Sequence, residues 1–108
     1  MLYAALIWTD TAAGTEAELD EFREFGRQID EAGVRKGGQA LHPANIATTV
    51  RFRDDEVLMS DGPFIDSKEQ INGFMLFECA DLNEAIDWAA QIPSARHGAI
   101  EVRPVKVH

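Results

Sequence analysis

The sequence predicts a single α+β domain in which a ferredoxin-like sheet carries two helices on one face. Three observations carry that prediction. Apolar runs, either unbroken or alternating with a period of two, are interleaved with two segments of helical spacing in the order β-α-β-β-β-α-β. Each helical segment opens on a capping signature and closes at a glycine or proline. The chain has 108 residues, 45% of them hydrophobic, which is one domain's length and enough to build a core without disulfides.

The elements follow in chain order. The run Leu2-Tyr3-Ala4-Ala5-Leu6-Ile7-Trp8 is almost continuously apolar and stops at Thr9-Asp10, as a strand buried on both faces does. Thr15 and Glu18 form a T-x-x-E capping box, and Leu19, Phe22, Phe25, Gly26 and Ile29 recur at helical spacing. Gly33 stands where a left-handed cap belongs, so the helix is expected over 15–32. Residues 38–41 form a brief strand that Pro43 ends or confines to an edge. Ile46, Thr48, Val50 and Phe52 alternate with Ala47, Thr49, Arg51 and Arg53, and Asp54-Asp55-Glu56 turns the chain back into Val57-Leu58-Met59. Ser60-Asp61-Gly62-Pro63-Phe64 carries strong turn signals, and residues 73–79 are a second apolar strand. Asp81 and Glu84 cap a second helix with Leu82, Ala85, Ile86 and Ala89 inward and Pro93 as its stop. Ile100-Glu101-Val102-Arg103 closes the sheet before Pro104.

Surface counting adds a partner. Two helices cover one face of such a sheet, yet the strands at 2–8 and 73–79 read as apolar on both. A bare apolar sheet face on so small a domain marks an interface, and two sheets packed face to face in a homodimer close it.

Charge and composition exclude several classes. Ten Lys and Arg against 19 Asp and Glu leave a net charge of −9, the wrong sign for direct contact with nucleic acid or an anionic membrane. Residues 1–8 are too short for a membrane span and lack the basic flank of a signal peptide, so a soluble cytoplasmic domain is expected. The single cysteine, Cys79, forms no internal disulfide, and Glu78 and Asp81 beside it disfavour a thiolate, which makes it a buried filler. No metal-ligand spacing, phosphate-cradling glycine motif or dinucleotide fingerprint is present, so no metal or cofactor is expected.

Asp61-Gly62-Pro63-Phe64 followed by Lys68-Glu69-Gln70 and Gly73-Phe74 resembles the signature of the DGPF branch of the YCII-related domain family. Ala47-Thr48-Thr49-Val50-Arg51, Asp81-Leu82-Asn83-Glu84-Ala85 and Ile100-Glu101-Val102-Arg103-Pro104-Val105 fit the same pattern, so the likeness spans nearly the whole chain. The resemblance implies a dimeric α+β barrel whose paired sheets enclose a cleft. It also implies an association with extracytoplasmic-function sigma factors, and for some members a His–Asp catalytic pair. Parts of the wider family place that histidine in the first helix, where this sequence has none.

Five residues are candidates for a site in the cleft. Asp61, at a strand end between apolar walls, suits general acid–base work; it equally suits a turn-organising role with its oxygens accepting backbone N–H groups. His42, beside Pro43, is its proton-shuttling partner or a solvated loop residue. Lys68 stabilises an anionic substrate or pairs with solvent-exposed charge. Arg51 grips a carboxylate or faces solvent, and Phe64 lines a pocket or joins the core. Two functions follow. One is a small-molecule site, catalytic or merely binding, with lyase, isomerase or hydrolase chemistry free of redox cofactors. The other is a non-catalytic regulatory or interaction module beside a sigma-factor system.

Overall fold

The computed structural model describes residues 1–10 and 16–107. Strand β1 (Leu2–Thr9) leads to helix α1 (Glu16–Glu31), strand β2 (Arg35–Ala40) and a 3-10 turn at Ala44–Ile46. Strands β3 (Thr48–Arg53), β4 (Glu56–Asp61) and β5 (Gln70–Glu78) follow, then helix α2 (Leu82–Ala90), a 3-10 turn at Pro93–Arg96 and strand β6 (Ala99–Pro104). Four strands therefore lie between the helices, one more than the order β-α-β-β-β-α-β counts: the brief strand expected at 38–41 stands as a full strand, Arg35–Ala40, beside the two hairpin arms and β5.

Four strands make one antiparallel sheet in the order β2-β5-β1-β6, and β3 and β4 pair only with each other. Register fixes the faces. Tyr3, Ala5 and Ile7 sit opposite Phe77, Met75 and Gly73 on β5 and opposite Pro104, Val102 and Ile100 on β6. These positions lie under the helices, where Phe25 and Ile29 of α1 and Ala85 and Ala89 of α2 complete the core. The Phe25 and Trp88 rings meet edge-on at 6.3 Å, joining the two helices. The alternate positions Leu2, Ala4, Leu6 and Trp8, with Phe74 and Leu76 beside them, form the opposite face, which no helix covers. The expectation of apolar residues on both faces of β1 and β5 holds.

Local chemistry sets the ends. Gly33, at φ +70°, closes α1: its N–H donates to the Asp30 carbonyl at 3.0 Å, and the Val34 N–H donates to that of Ile29 at 3.2 Å. Thr15, the other half of the predicted capping box with Glu18, lies outside the described residues. Asp81 caps α2 by accepting from the Glu84 N–H at 2.9 Å, and the Glu84 carboxylate accepts from the Ala80 N–H at 3.0 Å. Asp54 and Asp55, at φ 50° and 59°, form a two-residue loop whose handedness suits a hairpin, and Glu56 already belongs to β4.

Several boundaries differ from expectation. Strand β2 begins at Arg35 and stops before Leu41, and Ile46 belongs to a 3-10 turn rather than to β3. Ser60 and Asp61, expected in a turn, extend β4, because Thr48 and Thr49 continue the pairing across from them. Leu82 and Ile86, expected inward, are about half exposed. The small side chains of Ala85 and Ala89 let α2 approach the sheet closely, and the stripe through Leu82 and Ile86 is turned away from that contact. Among the described residues no helix is long and apolar enough to cross a membrane.

Candidate functional site

The hairpin is an amphipathic ribbon. Cross-strand pairing puts Thr48 with Asp61, Val50 with Met59, and Phe52 with Val57 on one face, and Thr49, Arg51 and Arg53 with Ser60, Leu58 and Glu56 on the other. Val50, Phe52, Val57 and Met59 are between 61% and 72% exposed, so the apolar face of the ribbon lies bare. Asp61 stands at the base of that same face.

Turn organisation does not come from the Asp61 carboxylate, which makes no hydrogen bond or ion pair among the described residues. The Gly62 N–H donates to the Ala47 carbonyl at 2.7 Å, and the Thr49 hydroxyl donates to the Gly62 carbonyl at 2.8 Å. Gly62 itself needs φ +98°, which explains the glycine after Asp61. Downstream, the Gln70 amide donates to the carbonyls of Ile65 and Ser67, at 2.7 and 3.0 Å, and clips the following loop.

The other candidates divide. His42 and Phe64 share a recess of about 530 Å³ with Trp8, Ile46, Pro63 and Ile71, which makes the uncovered sheet face continuous with the base of the hairpin. Arg51 stacks on Phe64, its guanidinium 5.0 Å from the ring centre. Asp61 and Lys68 do not line the recess. Lys68, highly exposed, lies 3.7 Å from the Asp10 carboxylate, a screened surface pair.

A larger groove, about 740 Å³, lies on the other side of the sheet, between α1 and the β2–β5 edge. Leu19, Phe22 and Gly26 of α1, Ile7 of β1 and Met75 of β5 wall it, and Ser94 and His97 reach it from the turn after α2. His97 Nε2 lies 2.7 Å from Glu18 Oε1, and Arg96 pairs with Glu21, so that turn is moored to α1. The Asn72 amide donates to the Thr9 hydroxyl at 2.6 Å on the same groove wall. Among the described residues no three His, Cys, Asp or Glu side chains converge where a metal could sit.

A family model for the YCII-related domain matches residues 1–108. The chain belongs to the YCII-related domain family. Similar proteins extend the picture. This YCII-related domain is 36% identical to an uncharacterized protein of Rhizobium meliloti (strain 1021), over 100% of the chain and 94% of that protein. It is 32% identical to the tRNA uridine(34) hydroxylase of Corynebacterium glutamicum (strain R), over 80% of the chain. That match spans only 28% of the hydroxylase, so the YCII-related chain corresponds to a minor part of a longer protein.

Sequence reasoning on this YCII-related domain missed the groove. No spacing in the sequence joins its residues, because Glu18 and His97 meet only through tertiary structure, 79 residues apart. The one signal was Pro93, which ends the helix and so starts the turn that carries Ser94 and His97.

Proposed function

We propose that this protein is a cytoplasmic homodimer that binds a small molecule in a cleft at the hairpin base, with Asp61 as acid/base or anchoring group. The protomer is read as ferredoxin-like, of the DGPF branch, and the dimer as an α+β barrel formed by the uncovered sheet faces. The strand order β2-β5-β1-β6 with both helices on one face supports the protomer. One observation carries the site: the unengaged Asp61 carboxylate stands on the bare apolar face of the hairpin, beside a recess continuous with the uncovered sheet. Covering that face with a second copy would surround Asp61 with apolar groups, the setting that favours a protonated carboxyl. His42 and Phe64 serve as recess walls, Lys68 as a charge partner for a ligand carboxylate, and Arg51 as the group that holds Phe64 in place.

A second reading is a non-catalytic interaction module beside a sigma-factor system. The exposed apolar hairpin favours it, since such a ribbon suits a protein partner as well as a second copy. The net charge of −9 opposes contact with nucleic acid in either reading, and nothing of the tRNA chemistry named for the Corynebacterium protein is carried over.

Native mass spectrometry of the freshly purified, untagged protein tests the proposal, alongside Asp61→Asn. The expected result is a dimer with a reproducible small adduct, and an Asp61→Asn dimer of unchanged melting temperature that has lost it. A monomer removes the paired sheets and the cleft. A bare dimer in both proteins moves the weight to the interaction module.

A further inference from the structure

Ser94 is buried to 5% exposure in the turn after α2, and its hydroxyl oxygen, closed off from solvent, has no hydrogen-bond partner among the described residues. Its carbonyl is occupied, accepting from the Gly98 N–H at 2.8 Å, so the turn is well bonded apart from this one group. Leaving a buried hydroxyl unpaired costs about 1–3 kcal/mol, and native interiors rarely tolerate it without a visiting partner. Ser94 lines the 740 Å³ groove, whose volume falls within the range of small-molecule sites, roughly 300–1,000 Å³.

The walls say what that partner is. Leu19, Phe22, Ile7 and Met75 are apolar, and Leu19 is about half exposed. Three arginines line the groove, and each is already neutralised. Arg23 pairs with Asp20, Arg27 with Glu24 and Glu31, and Arg35 with Asp30. Among the described residues that line the groove, no arginine is left unpaired for an anionic ligand. We propose that the groove under α1 binds a neutral, largely apolar small molecule that presents one hydroxyl or carbonyl oxygen to Ser94, whose side chain turns about χ1 to meet it. The groove's helix-side walls distinguish it from the recess at His42 and Phe64, with which it shares only Leu41.

The test compares 2-naphthol with naphthalene, its hydroxyl-free analogue, by amide chemical-shift titration of the full chain. Saturable shifts are expected at Leu19, Phe22 and Ser94, with 2-naphthol bound about fivefold more tightly, the value of one neutral hydrogen bond. Ser94→Ala should bring the two probes to equal affinity without loss of stability, because it deletes an unpaired group. Leu19→Trp, which fills the groove from an exposed wall, should abolish binding of both. Absence of saturable shifts, shifts confined to the recess at His42 and Phe64, or an unchanged preference in Ser94→Ala would each overturn the proposal. The last outcome would mean that water satisfies the hydroxyl.

Discussion

The Arg51 guanidinium lies 5.0 Å above the centre of the Phe64 ring, which ties the polar face of the hairpin to the loop that leaves it. The Thr49 hydroxyl makes a second tie from the same face, to the Gly62 carbonyl. The Asp-Gly-Pro-Phe segment is thus held from the polar side of the ribbon, and the opposite side, bearing Asp61, stays open. Arg51 is engaged with an aromatic ring rather than poised free for a ligand carboxylate.

Removing that tie should loosen the loop and little else. An exposed cation–π contact contributes about 0.5–1 kcal/mol, so Arg51→Ala should cost less than about 1 kcal/mol of global stability. Amide hydrogen exchange at Gly62, Phe64 and Ile65 should accelerate, and Arg51→Lys should restore part of the protection. Exchange equal to wild type in Arg51→Ala would mean that Thr49 and Gln70 hold the loop alone.

The bare face of the hairpin gives a second prediction. An isolated two-stranded ribbon is marginal in water, so a face bearing Val50, Phe52, Val57 and Met59 calls for cover. Val50 and Met59 are direct cross-strand partners, so Val50→Lys with Met59→Glu replaces an apolar pair by an opposite-charge pair that the hairpin itself accepts. Sedimentation velocity should show this double variant as a monomer while its circular dichroism stays that of the wild type. A dimer of undiminished affinity would place the interface elsewhere.

Much of this architecture was legible in the sequence, for reasons that particular residues make plain. The alternation through Thr48–Phe52 and the two cap signatures at Gly33 and Asp81 are local, and the structure keeps them. Strand β2 was read short because its sequence, Arg-Lys-Gly-Gly-Gln-Ala, has no apolar period. Its reason for glycine is tertiary: Gly38 sits at φ +141°, where a Cβ would overlap the Phe74 carbonyl and come within 2.8 Å of the Met75 Cα. Candidate residues near one another in the chain share a local motif, whereas Thr9, Glu18, Asn72 and Ser94 of the groove come from four elements and carry no common spacing.

Cys79 should be inert while the protein is folded. Its thiol is buried, and loss of hydration raises its pKa, with the Glu84 charge adding to the effect. Iodoacetamide at pH 8 should label it at least about tenfold more slowly than a free cysteine, and at full speed in denaturant. Fast labelling of the native protein would mean that the β5–α2 corner opens readily.

Acid sensitivity should come from two carboxylates that face arginines on and beside α1. Hydrogen bonding to Arg27, and secondarily to Gln28, holds Glu24 down at about 2 from an ordinary 4.5, and hydrogen bonding to Arg35 lowers Asp30 from 3.8. Both groups therefore bind protons less readily folded than unfolded, so between the two values the unfolded chain takes up more protons. Stability from these pairs is complete above about pH 5 and is lost as pH falls toward 2. The Glu24 pair is about half exposed, and 1 M salt should flatten its share of the acid limb more than that of the Asp30–Arg35 pair, whose arginine is the less exposed. Urea unfolding from pH 6 to pH 2 measures the effect. Arg27→Gln and Arg35→Gln should each make the limb shallower and leave more of the remaining loss to other carboxylates. An acid limb identical to wild type in both variants would show that the pairs do not persist in solution.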